Sequence, residues 1–133
     1  GQERLRSWQQ GVLRDRPVPE LARALRRGTA DQIQASTAQD VFVLGLLLYE
    51  AFSGTLLLES WEEEADAQSI LEAEEGEIPV SFRRIKDPIA RYIISNCLRK
   101  DTGSRFAVAD IVNNLKQMRL NKPLVRLQHG VIE

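Results

Sequence analysis

The sequence has almost no cysteine or histidine. Its 133 residues include one of each, Cys97 and His129. One cysteine cannot form an internal disulfide, and neither residue has the neighbours that zinc-binding spacings require. We therefore expect no metal ion, no cofactor and an intracellular, cytoplasmic location. Cys97 falls on the apolar stripe of a predicted helix and is expected to be an inert core thiol, whereas His129 is expected to be a residue of the tail.

Long hydrophobic runs and a dominant charge sign are also missing. No apolar run approaches the roughly 18 residues that a membrane-spanning helix needs, and no apolar signal-peptide core follows the Arg-rich start. Lys and Arg number 18 and Asp and Glu number 19, so the formal net charge is -1. We therefore expect neither a membrane span nor nucleic-acid binding.

The charges are nevertheless concentrated in blocks. Residues 1–28 hold seven Arg against three acidic residues, residues 59–77 hold nine acidic residues and no base, and residues 83–126 hold eleven bases against three acids. Two interpretations stay open. The blocks are either solvated faces that pair across the fold or a basic surface for an acidic partner.

Length and composition indicate one folded domain. A chain of this size buries roughly two-thirds of the surface that its unfolded form exposes, and 43% of the residues are hydrophobic. We divide the chain into a basic N-terminal arm (1–18), a helical domain (19–119) and a C-terminal tail (120–133).

The most informative segment is the apolar stretch 40–54, DVFVLGLLLYEAFSG. It is hydrophobic on nearly every face, so we expect a central helix that is buried on all sides, with Leu47 inside. Ser36 or Thr37 begins a capping-box pattern in front of this helix. Gly54 stands where a left-handed C-cap is expected.

Further helices are predicted on both sides of the central one. A short helical turn ends at Gly28, an acidic helix covers about 62–75, and another helix begins at Asp87. A last amphipathic helix carries an apolar stripe. The members of that stripe are Val108, Ile111, Val112, Leu115 and Met118. No alternating strand pattern of useful length occurs, so the predicted fold class is all-α.

Four of these features, taken in order, resemble the second half of a protein kinase domain. Val18-Pro19-Glu20 resembles the Ala-Pro-Glu that closes the activation segment, and segment 40–54 resembles the central helix of the C-terminal lobe. Residues 94–105, ISNCLRKDTGSR, resemble the family's Cys-Leu-x-x-Asp-Pro-x-x-Arg, and residues 109–115 resemble its final helix. The resemblance implies a helical subdomain equivalent to the lower part of that lobe, organised around the buried central helix.

The same resemblance implies structural roles for three residues. In the family, the counterparts of Glu20 and Arg105 form a buried ion pair, so we expect this pair here; the alternative is two unrelated surface charges. The counterpart of Asp40 anchors the central helix by hydrogen-bonding the backbone of the catalytic loop. That loop is missing from this sequence, so Asp40 marks the place where a further component would join.

The sequence lacks the residues that phosphoryl transfer requires. Kinases use a Gly-rich loop, a strand Lys, a His-Arg-Asp loop with its Asn, and an Asp-Phe-Gly that holds the metal; none occurs here. We therefore expect no catalytic and no nucleotide-binding residue. The favoured function is a noncatalytic, pseudokinase-like binding or scaffold module whose partner is a protein or the remainder of a kinase domain. The alternative is a fragment of an active ATP-dependent kinase whose N-lobe and catalytic loop lie outside this chain.

Several positions depart from the kinase pattern. Phe42 replaces the Trp that is usual in the family, and Thr102 and Phe106 replace the two usual prolines around the Arg of the motif, Arg105. Such departures are typical of a degenerate lobe, although a divergent active kinase could also carry them.

Leu57 and Trp61 are candidates for a docking site. They precede the acidic helix, and in kinase-like lobes the corresponding helix is a common docking surface, so both side chains are predicted to anchor a protein partner. The alternative is that they cover the end of the central helix.

Overall fold

The computed structural model describes residues 16–61 and 67–118, which form helices joined by loops and contain no strand. The helices, in chain order, are α1 (Pro19–Arg27), α2 (Thr37–Ser53), α3 (Leu57–Trp61), α4 (Ala67–Glu72), α5 (Pro88–Cys97) and α6 (108–118), with a 3-10 turn at Ala30–Gln32. The predicted all-α class is confirmed for these residues. Most of the predicted arm, the predicted tail and His129 lie outside them.

The helix ends follow from local chemistry. The hydroxyl of Ser36 accepts a hydrogen bond from the backbone N–H of Gln39, so Ser36 is the N-cap of α2. Gly54 ends the helix at a φ of 78°, in the left-handed region that glycine tolerates best. At the start of α5, the Asp87 carboxylate caps the first turn and Pro88 takes a position where no N–H is needed.

The core forms where α2 packs against α5. Phe42 on α2 and Ile94 on α5 are both fully buried. Gly45 allows the two helices to approach closely, because a Cβ atom at this position would lie only 2.7 Å from the Cβ atom of Cys97. Helix α1 packs on α4, where Leu71 is buried.

One side of α2 is left open. Leu47 is 56% exposed and Leu44 is 37% exposed, whereas Val41, Phe42 and Gly45 are buried. The expectation that this helix is buried on all sides, with Leu47 inside, is therefore wrong for this chain. An apolar helix is covered all round only if neighbours surround it, and its contacts with α3 and α5 cover part of its circumference.

Helix α6 buries a narrower stripe than the sequence predicts. Ile111 and Met118 are buried, but Val108, Val112 and Leu115 are exposed. The buried stripe of α6 therefore consists of Ile111 and Met118 among the described residues. These residues are seven positions apart, or about two helical turns, and so lie on the same side of the helix.

None of the helices within residues 16–61 and 67–118 is long and apolar enough to cross a membrane.

Candidate functional site

Arg105 and Glu20 form a buried ion pair. The Arg105 guanidinium donates two hydrogen bonds to the Glu20 carboxylate, of 2.6 and 2.8 Å, and it also donates to the carbonyls of Ala38 and Arg99. The Arg105 side chain has no exposed surface. Its guanidinium carbon lies 5.1 Å from the centroid of the Phe42 ring, within cation–π distance. The structure thus brings together the two residues that the sequence analysis expected to pair.

Asp40 lies at the N-terminal end of α2 and faces outward. Its carboxylate is 67% exposed and accepts a 2.8 Å hydrogen bond from Arg16. Asp40, Leu44, Leu47 and Ala51 follow one another at helical spacing and are all exposed. These four residues are called the α2 face below. It combines an acidic end with an apolar surface, which is suited to contact with another protein surface.

Leu57 and Trp61 are buried instead of being exposed as docking anchors. Each is 3% exposed, and the Trp61 indole N–H donates a 3.0 Å hydrogen bond to the carbonyl of Pro79. The prediction that these residues anchor a partner is therefore wrong in this structure. Both pack into the core cluster that also contains Tyr49 of α2, as the alternative interpretation proposed.

The described residues contain no candidate metal site, and their one thiol is buried. No group of three or more His, Cys, Asp or Glu residues within them could hold a metal ion. Burial raises the pKa of the Cys97 thiol from 9.0 to about 12, although the nearby charge of Arg105 opposes the shift. Because the thiolate is the nucleophilic form, Cys97 is unreactive at neutral pH.

A groove that the sequence did not predict lies between α1, the segment 73–82 and the loop after α5. Its volume is about 650 Å³. Four cationic side chains line it: Arg23, Arg27, Arg99 and Lys100. It is called the basic groove below. The charge blocks are the feature of the sequence that could have indicated this groove, since the groove combines cations from two basic blocks with part of the acidic block.

Comparisons with known proteins place the chain in no family: neither a protein-family model, nor a curated protein, nor a solved structure gives a significant match.

Proposed function

We propose that this chain is a noncatalytic, pseudokinase-like binding or scaffold module, equivalent to the lower part of a kinase C-terminal lobe, that acts as a component of a larger assembly. The observation that carries the proposal is the exposed α2 face. A central helix that packs on one side and presents leucines on the other is incomplete as a core element, and a partner surface would complete it.

The ion pair supports the kinase-like part of this proposal. Glu20 lies in the Val-Pro-Glu segment and Arg105 ends the segment 94–105, the two motifs that the resemblance links. Bidentate pairing of two residues 85 positions apart depends on the overall arrangement of the helices. The pairing therefore supports a kinase-like arrangement more strongly than either motif taken singly.

The α2 face also indicates what kind of partner fits it. Leu44 and Leu47 require an apolar surface, and the Asp40 carboxylate requires hydrogen-bond donors. In this structure Arg16 supplies one donor. A partner that displaces Arg16 and presents backbone N–H groups beside an apolar ridge would satisfy all three residues.

Two substitutions on exposed apolar positions test this role of the α2 face. Leu47→Asp places a charge on the face, and Val112→Asp places the same charge on the exposed side of α6. Tagged chains are purified from cells, and the proteins that they retain are quantified by mass spectrometry. Binding of each retained protein, in pure form, to the three chains is then measured by calorimetric titration. We expect a partner that binds wild type and the Val112→Asp variant but not Leu47→Asp. Equal binding by all three chains would refute the role of the face.

The absence of catalysis is tested on the isolated chain. Because the sequence has no phosphate-binding loop and no metal-binding Asp-Phe-Gly, ATP with Mg²⁺ is expected to leave the melting temperature unchanged and to transfer no labelled phosphate. A saturable thermal shift would contradict the expected absence of a nucleotide-binding site, and transfer of labelled phosphate would contradict a noncatalytic function.

The alternative is a fragment of an active protein kinase. The same α2 face favours it, because removal of the catalytic loop and N-lobe from such a kinase would leave this face uncovered. The coding sequence upstream of Gly1 distinguishes the two proposals. A strand Lys, a His-Arg-Asp and an Asp-Phe-Gly encoded there would identify an enzyme fragment, and an unrelated domain or an initiator Met would support the scaffold.

A further inference from the structure

The basic groove holds one cation that is almost completely buried. Lys100 is 9% exposed, and its ammonium group donates to the carbonyls of Ala73 and Glu75, at 3.0 and 3.4 Å. No carboxylate of the described residues forms an ion pair with it. Its charge is therefore solvated by neutral oxygen atoms, which offset the loss of water less fully than an anion would.

A second cation lies beside Lys100. Arg23 donates one long hydrogen bond, of 3.5 Å, to the carbonyl of Ala73, and its buried Nε atom has no acceptor among the described residues. Burial, and then the positive charge of Arg23, lower the pKa of Lys100. Two neighbouring cations that share no anion among the described residues destabilise each other, so this end of the groove favours a negative ligand.

The other two cations of the groove form ion pairs that are exposed to solvent. Arg27 pairs with Glu74 at 2.7 Å and Arg99 pairs with Glu77 at 3.1 Å, and both carboxylates are largely exposed. Exposed pairs of this kind contribute little to stability, so another anion can replace the glutamates at low cost.

The remaining acidic residue of the groove is already engaged. Asp101 accepts hydrogen bonds from the backbone N–H of Gly103 and from the hydroxyl of Ser104. Its partners lie in its own loop, and among the described residues it forms no ion pair with the four cations.

We propose that the basic groove binds the phosphate group of a phosphorylated peptide. Arg27 and Arg99 exchange their glutamates for phosphate oxygens, and Lys100 and Arg23 gain a neighbouring dianion. A carboxylate from a ligand would only replace one carboxylate by another, whereas a phosphate adds charge and three strong acceptors.

The groove also has an apolar side that suits a peptide. Ile78, Val80 and Phe82 line it next to the cations, so an apolar residue beside the phosphorylated one can pack there. The volume of about 650 Å³ lies within the range of pockets that enclose small ligands. This inference does not depend on the proposed function, since it uses neither the α2 face nor the kinase resemblance.

Fluorescence anisotropy at constant ionic strength tests the proposal on the full chain. The probe is a fluorescein-labelled peptide with phosphoserine between leucines, and its counterparts carry Ser or Glu at the same position. We expect saturable binding of the phosphopeptide, binding about tenfold weaker for the Glu peptide because it loses charge-assisted bonds, and none for the Ser peptide.

Neighbouring arginines of α1 supply a matched control. Arg27→Gln removes a groove cation, and Arg26→Gln removes an exposed charge of the same helix that does not line the groove. Arg27→Gln should weaken phosphopeptide binding about tenfold, the effect expected for one lost charge-assisted contact, while Arg26→Gln changes it less than about twofold, as for a screened surface charge. Circular dichroism checks that both variants are folded.

Three outcomes would overturn the proposal. Equal binding of the Glu and phosphoserine peptides would make the groove a general acidic site, and equal weakening by the two Arg substitutions would make binding nonspecific. A 5′-phosphorylated oligonucleotide that binds as tightly as the phosphopeptide would remove the assignment to a peptide.

Discussion

The guanidinium of Arg105 and the carboxylate of Glu20 meet through two hydrogen bonds, Nη2 to Oε1 at 2.6 Å and Nη1 to Oε2 at 2.8 Å. The same guanidinium donates to the carbonyls of Ala38 in α2 and Arg99 in the loop after α5. One buried side chain thus joins α1, the start of α2 and that loop. Arginine suits this place because its planar group carries five donors in a fixed arrangement.

Removing this side chain should destabilise the fold strongly. Arg105→Ala leaves the Glu20 carboxylate without its partner in a mostly buried place, which typically costs about 3–5 kcal/mol. Arg99→Ala removes only an exposed pair with Glu77, so it should cost less than about 1 kcal/mol. Urea unfolding measures both losses, and equal losses would contradict a central role of the Arg105–Glu20 pair.

Two leucines of different exposure should respond differently to truncation. Leu47 is 56% exposed and Leu25 is 4% exposed. Leu25→Ala should lower the free energy of unfolding by about 2–5 kcal/mol, because a buried cavity remains. Leu47→Ala should change it by less than about 0.5 kcal/mol, as for an ordinary surface position. Chemical denaturation of both variants checks this, and a large loss at Leu47 would mean that the α2 face is covered within the chain itself.

Gly45→Ala should lower stability even though alanine favours helices. The new Cβ atom would lie 2.7 Å from the Cβ of Cys97 and 3.0 Å from Cδ2 of Leu98. Overpacking costs about 1–3 kcal/mol, which exceeds the helix-propensity gain of about 1 kcal/mol.

Gly103→Ala is the control for this substitution, since its nearest contact is an ordinary 3.5 Å to Asp101. Thermal unfolding should place Gly45→Ala clearly below wild type and Gly103→Ala close to it. If Gly45→Ala were the more stable variant, α2 and α5 would be further apart than the structure places them.

The stability of the protein should fall at high pH through Cys97. Burial raises the pKa of this thiol from 9.0 to about 12 in the folded state, so the unfolded chain loses the proton first. The contribution of the protonated thiol to the free energy of unfolding is fully present below pH 9. It is lost as the pH rises toward 12, by about 1.4 kcal/mol per pH unit in that window.

Cys97→Ala removes the titrating thiol and isolates its effect. Urea unfolding between pH 8 and about 10.5 should show a steeper decline for wild type than for Cys97→Ala, because only wild type carries this linked ionisation. Parallel declines would show that the thiol is accessible to solvent in the folded state.

The helices themselves were predictable because their signals are local. The cap before α2, its C-terminal Gly54 and the Asp87 cap of α5 lie within a few residues of the helices that they end. Ser36 or Thr37 could be the cap on sequence grounds, and only the 3.3 Å bond from the Gln39 N–H to the Ser36 hydroxyl distinguishes them.

The candidate site was predictable only in part. The resemblance named Glu20 and Arg105, and the structure joins them. It also suggested that Trp61 is a surface anchor, yet the structure buries the ring and satisfies its N–H at the carbonyl of Pro79. An aromatic residue carries the same hydrophobic signal in a core and at an interface, so its sequence context alone did not separate the two.

By itself, the sequence determined that this chain forms helices, where α1 ends, where α2 begins and ends, where α5 begins, and that charge is divided into opposing blocks. The tertiary structure decided that Leu47 faces outward and that Arg23, Arg27, Arg99 and Lys100 line one groove. The physical reason is the range of the interactions. Caps and helical periodicity act between residues a few positions apart, whereas burial and charge proximity depend on which distant segments the fold brings together.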